Sequence, residues 1–174
     1  MNKIHDFWSR RVVAVLEPAG DWVALLPIRL LMAYEFGSAG LKKFNASDTL
    51  WGDVPGWFAN SLGNFPFPIN LFSANFNWFM VTWVEILGGF ALALGLFTRF
   101  WAFSLLVVTW VAILGVHWPE SWSSLAELWK GYSVSNNGFG NYRIPLLFMA
   151  MLLPLVLKGA GKLSADHLIS KQFK

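Results

Sequence analysis

The stretch FNWFMVTWVEILGGFALALGLF, running from Phe76 to Phe97, carries a single charge, Glu85, from end to end. A helix rises about 1.5 Å per residue, and roughly 20 apolar residues cross the ~30 Å hydrocarbon layer of a bilayer. The segment therefore reads as a transmembrane helix. Thr98 and Arg99 follow, and Phe100–Val116 then runs without any charge. Two apolar spans separated by so short a turn lie side by side and antiparallel.

Upstream, Trp22–Leu41 is a third apolar stretch, interrupted by Arg29 and Glu35. Downstream, Ile144–Leu157 is uncharged but shorter than the others, a length that suits a buried helix as well as a span. Arg143 and Lys158 bracket it and can snorkel to the headgroups, while residues 139–142 extend the helix outward. The sequence thus predicts one all-α domain over residues 1–174. It is an integral membrane four-helix bundle with spans at about 22–41, 76–97, 100–116 and 141–158. A cleaved signal peptide is the competing reading of the first span, since Ser38-Ala39-Gly40 resembles a cleavage site. Against it, the segment before Trp22 is long for the leading region of a signal, and Arg29 and Glu35 break what would be an uncharged core.

Composition agrees. Of 174 residues, 56% are hydrophobic and 13% charged, whereas a soluble domain carries about 25% charged residues. Disorder, a coiled coil and a nucleic-acid-binding module are excluded, and the net charge of +3 is not gathered into a dense run of Lys and Arg. The chain has no cysteine, which excludes disulfides, thiolate catalysis and Cys-ligated zinc or iron–sulfur centres.

Lys3, Arg10, Arg11, Arg99, Lys158, Lys162, Lys171 and Lys174 fall on one side of the predicted topology; Lys42, Lys43, Lys130 and Arg143 fall on the other. The positive-inside rule then places both termini in the cytoplasm and the loops 42–75 and 117–140 outside. Trp22, Trp78, Trp101 and Trp118 lie near span ends, where amphipathic rings settle. Trp83 and Trp110 lie within spans, where they pack between helices or offer a stacking platform. Each outer loop holds a short amphipathic helix. In the first, Pro55–Leu62 turns Trp57, Phe58 and Leu62 to one side before an irregular return through Pro66 and Pro68. In the second, Ser121 caps a helical patch running to Lys130.

The informative residues are the charges that a bilayer penalises, at about 2.5–3.5 kcal/mol each on insertion scales. Arg29 and Glu35 in the first span and Glu85 in the second form a predicted intramembrane polar core. Depths counted from span midpoints allow an Arg29–Glu85 pair, while Glu35 points to another sector. Its candidate partners are Lys42, Lys43, Arg143 and His117. Gly88 and Gly89 beside Glu85, and the stripe Ala33, Gly37, Gly40, mark surfaces where helices approach closely. Two readings stay open. The charges and stripes either hold four helices in register, or they line, with Lys42, Lys43, His117, Asn141, Tyr142 and Arg143, an outward pocket for a proton, quinone or polar ligand. A partner-protein interface is a third use. His5, His117 and His167 are scattered and the five methionines form no soft-metal cluster, so no self-contained haem or metal site is expected.

The residues Arg29-Leu30 through Gly40-Leu41-Lys42-Lys43-Phe44, Glu85-Ile86-Leu87-Gly88-Gly89 through Leu94-Gly95-Leu96-Phe97-Thr98-Arg99, and Gly159-Ala160-Gly161-Lys162-Leu163-Ser164-Ala165-Asp166 resemble, in order and spacing, the DoxX family of small four-helix bacterial membrane proteins. The resemblance covers about residues 22–170. The aromatic outer loops and Asn141-Tyr142-Arg143 are most similar to its HvfX branch. That resemblance implies an inner-membrane accessory protein in the maturation or export of a copper-binding ribosomally synthesised peptide, with a quinone- or proton-linked redox role. A Cys-rich secreted peptide and its modifying enzymes would be partners. Other members imply an alternative, a membrane subunit of a quinone-coupled oxidoreductase of the thiosulfate:quinone type; a small transporter is a third class. Lacking cysteine, the chain would not itself handle thiols.

Overall fold

The computed structural model describes residues 13–45 and 53–172. Among these every regular element is helical. Lys3, Arg10, Arg11, Lys174 and part of the first outer loop lie outside the described residues. The helices are α1 (Ala14–Val23), α2 (Leu26–Asn45), α3 (Gly56–Ser61), α4 (Ala74–Leu94), α5 (Thr98–Ala112), α6 (Leu125–Lys130), α7 (Arg143–Lys158) and α8 (Ala165–Gln172), with a π-turn over Ile113–His117 continuing α5.

The first predicted span divides: α1 ends at Val23, the chain turns at Ala24 and Leu25, and α2 continues to Asn45. Pro27 explains the break. Proline lacks an N–H and disfavours helical backbone before it, so it suits the first turn of a helix, where Pro27 stands in α2, better than the middle of one. Two helices, Ala74–Leu94 and Thr98–His117, are long and apolar enough to cross a membrane. By contrast, α2 carries Arg29, Glu35, Lys42 and Lys43, and α7 has 16 residues.

Within α4, Ser73 caps the start by accepting from Phe76 N. Gly95 ends the helix in the left-handed region (φ 67°), with Gly95 N on Leu92 O and Leu96 N on Ala91 O. That is the double closure glycine permits at low cost. Helix α2 packs along α4, α5 along α7, and α4 against α5, with α2 touching α7. Met32, Phe36, Leu92, Ala102, Leu105, Leu152 and Leu155 fill the space where these four meet. A second, smaller cluster of Phe58, Phe65 and Trp78 sits under α3.

Only 44% of the apolar window of α4 and 28% of that of α5 is buried. Leu87, Phe90, Leu94, Phe103 and Trp110 look outward, the reverse of a core helix in a soluble protein. Both outer-loop helices form. The cap of the second is Ser124, which accepts from Glu127 N, and not Ser121.

Candidate functional site

The α2–α4 contact sets where every buried charge lands. A Cβ on Gly89 would stand 2.6 Å from Gly37 N and 2.7 Å from its Cα, so the two backbones touch there. One helical turn further out, Gly40 lies against Ile86 and Glu85. Moving inward along α2, Arg29 arrives beside Gly95. Gly40 and Arg29 are three turns apart on α2, roughly 16 Å along the helix axis. Arg29 and Glu85 therefore do not pair, contrary to the depth count: the span midpoints misjudge the offset that the small residues impose.

Both charges are nonetheless buried, at 3% and 7% exposure. Arg29 donates from Nη1 to Ala160 O and from Nη2 to Leu163 O, each at 2.8 Å. It thereby ties α2 to the segment between α7 and α8. Glu85 Oε2 instead meets Lys43 Nζ at 2.5 Å. Lys43 lies one turn beyond Gly40 on α2, on the side that faces α4. Glu35 is half-buried and joins neither arrangement; Lys42 is exposed.

Beside the Lys43–Glu85 pair opens a cleft of about 570 Å³ between α4 and α5. Val81, Val84, Val108 and Val111 wall it, while Met80, Phe103 and Val107 stand at its lipid-facing side. Trp57, Phe58 and Phe65 roof it. The polar groups at this end are Lys43, Glu85, Asn77, Trp78 and His117. Asn77 is committed to the loop, its Nδ2 donating to Ile69 O at 3.0 Å. Trp78 Nε1 is buried without a hydrogen-bond partner.

His117 reaches this end because the π-turn widens the close of α5, with Trp118 N bonded to Ile113 O at 2.7 Å. Such bulges recur at functional positions. His117 Nδ1 and Asn141 Oδ1 are 2.8 Å apart, which fixes the ring, and Asn141 N donates to His117 O. Tyr142 and Arg143 build the wall behind. Tyr142 OH donates to Leu128 O, its N to Gly131 O, and its ring lies against Trp118. The Arg143 guanidinium sits 5.5 Å from the Tyr132 ring centre. The predicted outward group thus separates into Lys43 and His117 at the cleft, Asn141 positioning His117, and Tyr142 and Arg143 bracing the outer loop.

At the opposite end of the bundle the Asp166 carboxylate accepts from Phe97 N (2.7 Å) and Thr98 N (2.9 Å), and so caps α5 from a distant part of the chain. Lys162 Nζ meets Asp21 Oδ2 at 2.9 Å and holds the Asp21 carboxyl below its ordinary range. None of these contacts was readable from spacing. The Lys43–Glu85 pair had a signal, the small-residue stripes, that would have given the register had they been aligned first.

An antiparallel pair of apolar helices with outward apolar faces, ionised side chains turned inward and a side cleft ending in charge defines a small helical protein of membrane type. Two family models match the sequence: DoxX over residues 24–118, and the TQO small subunit DoxD over residues 72–174. An uncharacterized protein of Haemophilus influenzae is 37% identical over 158 residues, spanning 91% of each chain. The chain belongs to the DoxX family. No solved structure matches it.

Proposed function

We propose that this protein is the membrane subunit of a quinone-coupled oxidoreductase, and that the α4–α5 cleft receives the head of a lipid-soluble quinone. One observation carries the reading: an apolar cleft of about 570 Å³, reached from the lipid side, ends at a buried ion pair and a buried indole N–H without a partner. Its size falls within the ~300–1,000 Å³ of small-molecule sites, which are mostly apolar with a few placed polar groups. A quinone carbonyl only accepts hydrogen bonds, and Lys43 Nζ and Trp78 Nε1 are donors.

A bound quinone supplies two-electron, two-proton chemistry. The chain's own residues orient the ring. Glu85 holds the Lys43 side chain in place, since an unpaired ammonium at this depth is costly. His117, its ring fixed by Asn141, has the imidazole nitrogens that can both donate and accept a hydrogen bond at the cleft. The valines exclude water from the ring. The DoxD description, a small subunit of thiosulfate:quinone oxidoreductase, supports an arrangement in which a partner subunit holds the electron donor.

We place all four long helices across the bacterial inner membrane with both termini cytoplasmic and the His117 end outward, on the Lys/Arg asymmetry. The HvfX resemblance adds a finer proposal, that the partner acts on a secreted copper-binding peptide. Copurification from solubilised membranes separates a peptide-modifying partner from a sulfur-oxidising one.

The binding test is titration of the purified protein with decylubiquinone and a short-chain menaquinone, read as tryptophan fluorescence quenching. Saturable quenching is expected, weakened roughly tenfold or more in Val108→Phe, which fills the cleft, a loss of about 1.4 kcal/mol. Quenching that never saturates, or that Val108→Phe leaves unchanged, overturns the assignment.

A further inference from the structure

At the end of the bundle away from the quinone cleft lies a second cavity, about 660 Å³, where α1, the α4–α5 turn and the segment from α7 to α8 meet. Arg99, Lys158 and Lys162 line it, together with Asp21, Asp166 and His167. Charge counting alone would leave it nearly neutral. The hydrogen bonds leave that count as it is and fix where the two carboxylates face. Asp166 is spent on the amides of Phe97 and Thr98, and Asp21 on Lys162.

Arg99 and Lys158 are both exposed, and among the described residues neither makes an ion pair. Both line the cavity, and Arg99 Nε lies close to the backbone beside Lys158, 3.4 Å from where a Cβ on Gly159 would stand. The segment after α7 should present carbonyls and so repel an anion. Here two carbonyls of the segment that follows the helix, Ala160 O and Leu163 O, are taken up by the buried Arg29 guanidinium.

The rim is apolar. Phe97 and Phe100 are 66% and 63% exposed beside this basic groove. Phe97 holds a left-handed backbone (φ 46°), a conformation a non-glycine residue rarely adopts and that the Asp166 carboxylate secures at Phe97 N. Strained backbone of this kind concentrates at functional positions. A pair of free cations at the end of an apolar helix hairpin, flanked by outward phenyl rings, matches a ligand with an anionic head and hydrocarbon tails.

We infer that this groove binds the phosphodiester headgroup of an anionic phospholipid, with Arg99 and Lys158 on the phosphate and Phe97 and Phe100 along the first methylenes of the acyl chains. A free phosphate ester offers the same anion but no use for the rings. The inference stands apart from the quinone proposal: the two sites share the Phe100 ring and no polar residue.

The test is lipid retention by native mass spectrometry of protein purified in detergent and returned to mixed micelles of phosphatidylglycerol and phosphatidylcholine. Phosphatidylglycerol should be retained at least roughly tenfold over phosphatidylcholine, since two basic side chains favour an anionic headgroup over a zwitterionic one. The double variant Arg99→Gln/Lys158→Gln should abolish that preference, while Lys171→Gln, an exposed cation outside the groove, should leave it intact. An unchanged circular-dichroism melt in the double variant shows that the bundle is folded. Equal retention of the two lipids, a preference that survives the double variant, or displacement of phosphatidylglycerol by millimolar inorganic phosphate overturns the inference, the last outcome assigning the groove to a soluble phosphate.

Discussion

Lys43 and Glu85 show how far a single buried charge can be read. That Glu85 faces protein follows from its cost in lipid and from the glycines that follow it; that its partner is Lys43 rather than Arg29 does not, because partnership depends on an interhelical offset that no single residue reports. Removing one member of a buried pair strands the other, at about 3–5 kcal/mol, whereas removing both is often near neutral. Lys43→Met should therefore lower stability in detergent far more than Lys43→Met/Glu85→Leu, read as the denaturant dose that unfolds each. Quinone-analogue quenching should be lost in both. Recovery of stability without recovery of binding would separate a functional pair from a register device, and binding that returns with stability would refute the proposed role. Arg29→Met leaves Ala160 O and Leu163 O without their donor, at roughly 1–3 kcal/mol for each buried acceptor. It should loosen α8 and the C-terminal segment, seen as faster proteolysis there, with quinone binding retained.

At the scale of elements, the long apolar stretches of α4 and α5 could be read directly, because length and hydropathy are properties of a segment alone. The ends could not. Pro27 divides the first stretch although hydropathy runs across it, and Ser124-Leu125-Ala126-Glu127 is a capping box overlooked in favour of Ser121. In that box Ser123 N and Oγ both donate to Glu127 Oε2 and hold its pKa below the ordinary value. A depressed carboxylate stabilises the fold above its unfolded pKa, about 4.3, and loses that contribution as pH falls through the lower folded value. The protection of α6 amides relative to their intrinsic exchange should accordingly fall below about pH 4 and stay level there in Glu127→Gln. The α2–α4 register rests on one contact with a sharp signature. A Cβ at Gly89 meets Gly37 backbone at 2.6 Å, while a Cβ at Gly37 finds its nearest neighbour at 3.9 Å. Gly89→Ala should cost about 1–3 kcal/mol, as overpacking does, and Gly37→Ala less than about 0.5 kcal/mol. Equal melting temperatures for the two variants would mean the helices do not meet as described.

For the molecule as a whole, the sequence establishes a membrane class through what it lacks, enough charge to cover a soluble surface, and it locates the cleft only through the one charge its hairpin hides. The site itself depends on packing: His117 needs the π-turn and Asn141, the cleft needs a roof from the loop that carries α3, well ahead of α4 in the chain, and the groove at the other end needs Asp166 to return to the start of α5. The same packing fixes a consequence for topology. If all four long helices cross, α6 and α8 lie on opposite sides of the membrane; if only α4 and α5 cross, both lie on the same side, since each falls after α5. The chain has no cysteine, so a single introduced thiol reports one position without background. Ser123→Cys, before α6, should react with a membrane-impermeant maleimide in intact spheroplasts. Ser170→Cys, in α8, should react only after the membrane is opened. Labelling of both from the same side would remove α7 from the spans, leave it lying against the hairpin without crossing, and move the basic groove into a different relation to the bilayer.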